Sequence, residues 1–152
     1  MPAENIKTGS PEITAAAPVL RLTNQKVLWV EDDPFLSTIL AAKLAHEGCV
    51  YFHAKNGEEA LYIAEHDVPD IILLDLLLPG MTGFDILKAI RANARIAQIP
   101  VIVLSNLGQK EDVEKSKELG AVKHLVKAEH DLDDIISEVA KVLKDKAPTT
   151  TA

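Results

Sequence analysis

Between Lys26 and Leu143 the chain alternates short apolar runs with amphipathic stretches, five times over. The runs are Lys26–Glu31, Cys49–His53, Ile71–Asp75, Pro100–Ser105 and Lys123–Lys127. Each is short and mostly aliphatic, which predicts strands. Between them apolar residues recur three and four apart, the spacing of a helix face. Leu36, Ile39, Leu40 and Leu44 form one stripe; Ala60, Leu61 and Ala64 a second; Phe84, Leu87 and Ile90 a third. Ile135, Ile136, Val139, Val142 and Leu143 form the last, and the stretch from Glu111 to Leu119 predicts a helix with a well-solvated outer face. Punctuation agrees: Asp33 can cap a helix that has Pro34 at its first position, Gly48 stops that helix, and Gly120 stops the fourth. Strand and helix in alternation, with strands this apolar, predict an α/β fold: a five-stranded parallel sheet with helices on both faces.

Composition adds boundaries. A chain of 152 residues suits one domain with a single sheet. Residues 1–25 are rich in Ala, Pro, Thr and Ser and are expected to form a flexible tail; residues 26–145 form the domain, and 146–152 a second short tail. Aromatic residues make up only 4%, so aliphatic side chains must fill the core. The longest apolar stretch, Ile71–Leu78, is interrupted by Asp75 and falls far short of the roughly 20 residues a membrane span needs. No basic region followed by an apolar run opens the chain, so a cytoplasmic location is expected. Lys26 to Asp145 holds 13 basic and 21 acidic residues, a balance that argues against direct nucleic-acid binding. Cys49, the only cysteine, can make neither an internal disulfide nor a cysteine-based zinc cluster and reads as a small buried apolar residue.

In an open parallel sheet, ligands sit beyond the carboxyl ends of the strands. The polar residues ending each apolar run are therefore the candidates. They are Glu31, Asp32 and Asp33 after the first strand, Asp75 after the third, Ser105 and Asn106 after the fourth, and Lys127 after the fifth. The second strand, ending His53-Ala54-Lys55, offers nothing obvious. Taken singly, Asp33 is a helix cap, Asp75 a turn residue, Ser105 a strand-end hydroxyl and Lys127 a surface lysine. Converging on one edge they make a site. Carboxylates without cysteine or paired histidine suit a hard cation such as Mg²⁺. A lysine and a hydroxyl beside it can hold phosphoryl oxygens. A carboxylate can also accept a phosphoryl group as an aspartyl phosphate.

The segments LWVEDDPFLS, IILLDLLLPGMTGFD, PVIVLSN and LGAVKHLVKA, in this order, make the chain resemble the receiver domain of two-component response regulators from about Lys26 to Leu143. The resemblance implies a flavodoxin-like strand order 2-1-3-4-5. It implies that Asp75 is the phosphoacceptor, charged by a sensor histidine kinase or a phosphotransfer protein with Mg²⁺. Glu31 and Asp32 would be the acidic pair for the metal, Asp32 binding it directly, and the backbone carbonyl of Leu77 a further ligand. Ser105 would be the switch hydroxyl and Lys127 the partner of the phosphoryl oxygens, with Pro79 and Gly83 shaping the loop after Asp75. Signalling would run through protein contacts of the fourth helix, fifth strand and fifth helix, including a possible homodimer. With only a short tail after Leu143 the chain reads as a stand-alone receiver, a switch and not a turnover enzyme.

Several positions depart from that family's pattern. His124 stands where an aromatic switch residue is usual, Asn106 where a small residue follows the hydroxyl, and Ala128 where proline follows the lysine. A cis bond before alanine would cost about 2.5–4 kcal/mol, so a trans bond or a reshaped loop is expected. His124 reads as a polar surface residue of a strand, with a pH-responsive switch as the alternative. Leu77 and Leu107 flank the path of the hydrolytic water in the family and offer it no hydrogen bond, which predicts slow self-dephosphorylation. Two other functions fit parts of the pattern. A phosphorylation-independent binding module would share the fold. A small phosphatase of the haloacid dehalogenase type also uses an aspartate, a lysine and Mg²⁺, but keeps its nucleophile on the first strand in an Asp-x-Asp pattern.

Overall fold

The computed structural model describes residues 20–106 and 108–146. The strands are β1 (Lys26–Val30), β2 (Val50–Ala54), β3 (Ile71–Leu74), β4 (Val101–Ser105) and β5 (Lys123–Val126). The helices are α1 (Pro34–His46), α2 (Gly57–Asp67), α3 (Gly83–Ala92), α4 (Lys110–Glu118) and α5 (Leu132–Lys146), with a single 3₁₀ turn at Lys127–Glu129. All strands run parallel, in the order β2-β1-β3-β4-β5. This is the 2-1-3-4-5 arrangement expected. The runs overshot their strands by a residue at several ends, and the overshoot is informative: Glu31, Asp75 and Lys127 each stand just past the last paired residue.

Strand parity sorts the core into two layers. Leu28, Val30, Ile72, Leu74, Val101 and Val103 face one side, where Ala60 and Ala64 of α2 and Ile86, Leu87 and Ile90 of α3 cover them. Val27, Trp29, Ile71, Leu73, Ile102 and Leu104 face the other, under Leu40 and Leu44 of α1 and Ile135, Ile136 and Val139 of α5. Central strands buried on both faces explain why β1, β3 and β4 read as unbroken apolar runs. α4 differs from its neighbours: Ser116 is its single fully buried residue. The expected caps are present. Asp33 accepts from the amides of Phe35 and Leu36 ahead of Pro34, and Gly48 and Gly120 take positive φ after α1 and α4.

Part of the segment assigned to the N-terminal tail is packed. Leu22 is fully buried among the α1 and α5 side chains, and Arg21 bonds both carboxylate oxygens of Glu47. Burying a leucine contributes about 1.5–3 kcal/mol, enough to override the loop-like composition around it. The domain thus begins before Lys26. Residues 1–19 and 147–152, the rest of the expected tails, lie outside the described residues, as does Leu107. No described helix is long and apolar enough to cross a membrane.

Candidate functional site

Three strand ends bring charge to one point. β1 stops at Val30, and Glu31 follows with its carboxylate buried: Oε1 accepts from Lys127 Nζ at 2.7 Å, Oε2 from the Asp33 amide at 3.1 Å. β3 stops at Leu74, and Asp75 is also buried; its Oδ2 accepts from Lys127 Nζ at 3.1 Å and its Oδ1 from the Leu77 amide at 3.1 Å. β5 delivers Lys127, which is held at the start of the 3₁₀ turn. Asp32 stands exposed beside them, and Glu31, Asp32 and Asp75 can each offer one oxygen within 4.8 Å of the others'. Ser105 ends β4 fully buried, in register with Val126, the residue before Lys127. Gly83 closes the loop after Asp75: its amide donates to the Leu76 carbonyl, and a Cβ there would lie 2.5 Å from the Asp75 carbonyl oxygen and the Leu76 Cα. Only glycine lets α3 approach the Asp75 backbone this closely.

Three carboxylates facing one ammonium leave two negative charges in excess. Burial raises the Glu31 carboxyl above its ordinary pKa; the Lys127 hydrogen bond opposes this, and the Asp75 charge adds to it. Burial also pulls the Lys127 ammonium down, but its bonds and proximity to Glu31 and Asp75 together carry it above its ordinary value. Lys127 is therefore firmly charged, yet it cannot neutralise its surroundings. An oxygen-only donor set with a deficit of two positive charges fits a hard divalent cation.

The predicted residues do not all meet. Glu31, Asp32, Asp75 and Lys127 converge, and Ser105 shares their edge. Asn106 is exposed, and Leu77 is 56% exposed. His124 lies three residues before Lys127 and is half-buried; its Nδ1 is 2.9 Å from Oγ of the buried Ser116 of α4. It remains partly exposed and is tied to a helix. The Lys127–Ala128 bond is trans, since no described peptide bond is cis.

Sequence reasoning misses His53. Its Nε2 lies 2.7 Å from the Glu31 carbonyl oxygen and 2.9 Å from Ser37 Oγ. The register places His53 beside Trp29, so its ring projects toward α1 and reaches under the acidic turn. One signal was available. Ser37 shares the inward stripe of Leu40 and Leu44, and a hydroxyl on a buried stripe needs a partner.

The family model for the response regulator receiver domain matches residues 27–140. Sporulation initiation phosphotransferase F of Bacillus subtilis (strain 168) is 37% identical over 126 residues, covering 83% of this chain and 99% of that protein. The DNA-binding dual master transcriptional regulator RpaA of Synechocystis is 32% identical over 125 residues, 81% of this chain but only 52% of the regulator. Among solved structures, the receiver domain of the Francisella response regulator 1452 superposes with a TM-score of 0.76 at 28% identity, covering 82% of this chain and all of that one. The Vibrio cholerae chemotaxis protein CheY4 gives 0.74 at 28% identity, over 79% and 99%. Receiver domains bind Mg²⁺ at an acidic pocket and exchange signals with histidine kinases or phosphotransfer proteins, and they are not turnover enzymes. By sequence, strand order and the acid-rich edge alike, this chain belongs to the receiver domains of two-component response regulators, which signal through phosphorylation.

Proposed function

We propose that this chain is a switch charged at Asp75. The observation that carries the reading is the gathering of Glu31, Asp32, Asp75 and Lys127 at the carboxyl edge of the sheet. A carboxylate oxygen of Asp75 attacks the phosphorus of a phosphohistidine on a sensor histidine kinase or phosphotransfer protein. The P–N bond breaks, the imidazole nitrogen leaves with the electron pair, and Asp75 becomes an aspartyl phosphate. Asp32 and Asp75 would hold Mg²⁺, with Glu31 and the Leu77 carbonyl completing the protein's share. When bound there, the ion would offset the repulsion between the carboxylate and the incoming phosphoryl group. Lys127 then exchanges part of its carboxylate contact for a phosphoryl oxygen, and Ser105 supplies a hydroxyl donor from β4.

The new charge, about −1.5 to −2 near neutral pH, acts on the ends of β3, β4 and β5 together. We place the readout on the α4–β5–α5 face, where His124 links β5 to Ser116 of α4, with Asn106 at the mouth of the β4–α4 loop. That face would bind a partner or a second copy of the chain. The acidic surface disfavours nucleic acid as a direct partner. The relative it spans almost end to end bears the name of a phosphotransferase, which supports a place in a phosphorelay. Such a chain would work in the cytoplasm, where ATP feeds the kinases that supply the group.

Incubation with acetyl phosphate and Mg²⁺ followed by intact-mass measurement tests the reading. One phosphoryl adduct is expected, absent in Asp75→Asn and after chelation; an adduct that persists in the mutant overturns it. The adduct should decay slowly, because Leu77 and Leu107 cannot orient a water. Replacing both with Asn or Glu should shorten its lifetime, and an unchanged lifetime refutes that part.

A further inference from the structure

We propose that His53, on the edge strand β2, is a positioning residue for the acidic pair: it fixes the turn that presents Glu31 and Asp32 to the metal. This rests on the reading of that pair as the Mg²⁺ site. The β1–β2 ladder ends at Val30 and Ala54, so the Glu31 carbonyl lies just beyond the regular pairing. The His53 ring meets that oxygen at 2.7 Å. A carbonyl oxygen only accepts, so Nε2 carries the proton and donates. Ser37 Oγ lies 2.9 Å from the same nitrogen, which ties the first turns of α1 to the contact. From the other side, the Asp33 amide donates to Glu31 Oε2 while the Asp33 carboxylate caps α1. The turn is therefore held at its carbonyl by His53, at its side chain by Asp33 and Lys127, and at its exit by the helix cap. From β2 the Ala54 carbonyl also accepts from the Glu31 amide at 2.9 Å, and Ser37 Oγ lies 3.5 Å from the Glu31 carbonyl, but the His53 ring makes the shorter contact with that oxygen and is the side chain that reaches it from β2.

The physical consequence concerns Asp32. It is exposed, and its direction is set by the backbone on either side of it. Without the His53 donor the Glu31 carbonyl keeps only the long Ser37 Oγ contact at 3.5 Å, so the peptide between Glu31 and Asp32 can rotate and Asp32 no longer arrives at a fixed angle to Asp75. Metal sites are sensitive to the groups that orient their ligands, with losses of about 10–100-fold in affinity when such groups are removed. Because His53 acts on a backbone carbonyl, the lower end of that range is expected.

The test compares His53→Gln, whose amide nitrogen can replace Nε2 as a donor, with His53→Leu, which keeps the bulk and loses the donor. Mg²⁺ affinity is read by calorimetric titration with MgCl₂, and folding by circular dichroism in EDTA. We expect His53→Leu to weaken Mg²⁺ binding about tenfold and His53→Gln to stay within about twofold of wild type. Equal affinity in His53→Leu and wild type overturns the proposal, as does a loss in His53→Gln as large as in His53→Leu. If His53→Leu does not fold, His53→Val replaces it; weaker Mg²⁺ binding there supports the proposal, and unchanged binding overturns it. Failure of the wild type itself to bind Mg²⁺ or form the Asp75 adduct overturns the underlying reading instead, so the two failures are distinguishable.

Discussion

Two buried glutamates in this protein behave in opposite ways. Glu47, at the end of α1, sits in a matched set: the Arg21 guanidinium donates to both its carboxylate oxygens, at 3.1 and 2.8 Å, and holds the carboxyl down at about 2, while Asp133, which also reaches Arg21 at 3.6 Å, has Lys43 at 2.6 Å. Glu31, at the end of β1, must share Lys127 with Asp75, and burial lifts its pKa above the ordinary value. Both side chains are nearly inaccessible. What separates them is the local ratio of cations to carboxylates. At the amino ends of the strands charge is matched, and the pair fastens Arg21 and Leu22 to the domain. At the carboxyl ends charge is left short by two, a state useful only to something that arrives with positive charge or needs an activated carboxylate. Charge balance, not residue type, distinguishes the structural ion pair from the functional one.

Removing the shared cation should have the largest effect. Lys127→Ala leaves two buried carboxylates facing each other, and the metal-free protein should lose about 3–5 kcal/mol in chemical denaturation; Mg²⁺ should restore part of that loss. A loss below 1 kcal/mol would show that the edge is better solvated than its burial implies. Breaking the matched pair comes next. Glu47→Gln should cost about 1–3 kcal/mol at neutral pH. The sign of the pH dependence follows from the depressed carboxyl. Its stabilisation is fully present above the unfolded-state value near 4.5 and is lost as pH falls toward about 2. Wild type and Glu47→Gln should thus converge in stability across that window, and curves that stay parallel would contradict the pairing. The smallest effect carries the opposite sign. Glu31→Gln relieves the crowding and should raise metal-free stability by about 0.5–2 kcal/mol while lowering the gain that Mg²⁺ brings.

Much of this was legible in the chain because parallel sheets convert strand ends into an address. Asp75 breaks an aliphatic run, Lys127 ends another, and Glu31-Asp32 ends a third, so the edge could be assembled before any coordinates. Caps were legible for a similar reason, since Asp33-Pro34 and Gly48 act within a few residues. What could not be read depends on register and on distant packing. His53 matters because it lies beside Trp29 and under α1, and strand periodicity carries no information about which neighbour a side chain meets. Arg21 and Glu47 are 26 residues apart, and the composition around Arg21 spoke for a loop. The contact of His124 with α4 is equally hidden, because α4 has so few apolar positions that nothing in its pattern points to a helix resting on β5.

Everything turns on Asp75 being the residue in this charge-deficient cluster that takes the phosphoryl group. Borohydride reduction of the acetyl phosphate-treated protein, followed by peptide mapping, tests it most directly, because the acyl phosphate is reduced in place and marks its own position. A single Mg²⁺-dependent mark at Asp75 is predicted. A mark at Asp32, at Glu31 or elsewhere, or one that forms equally well in EDTA, would contradict it.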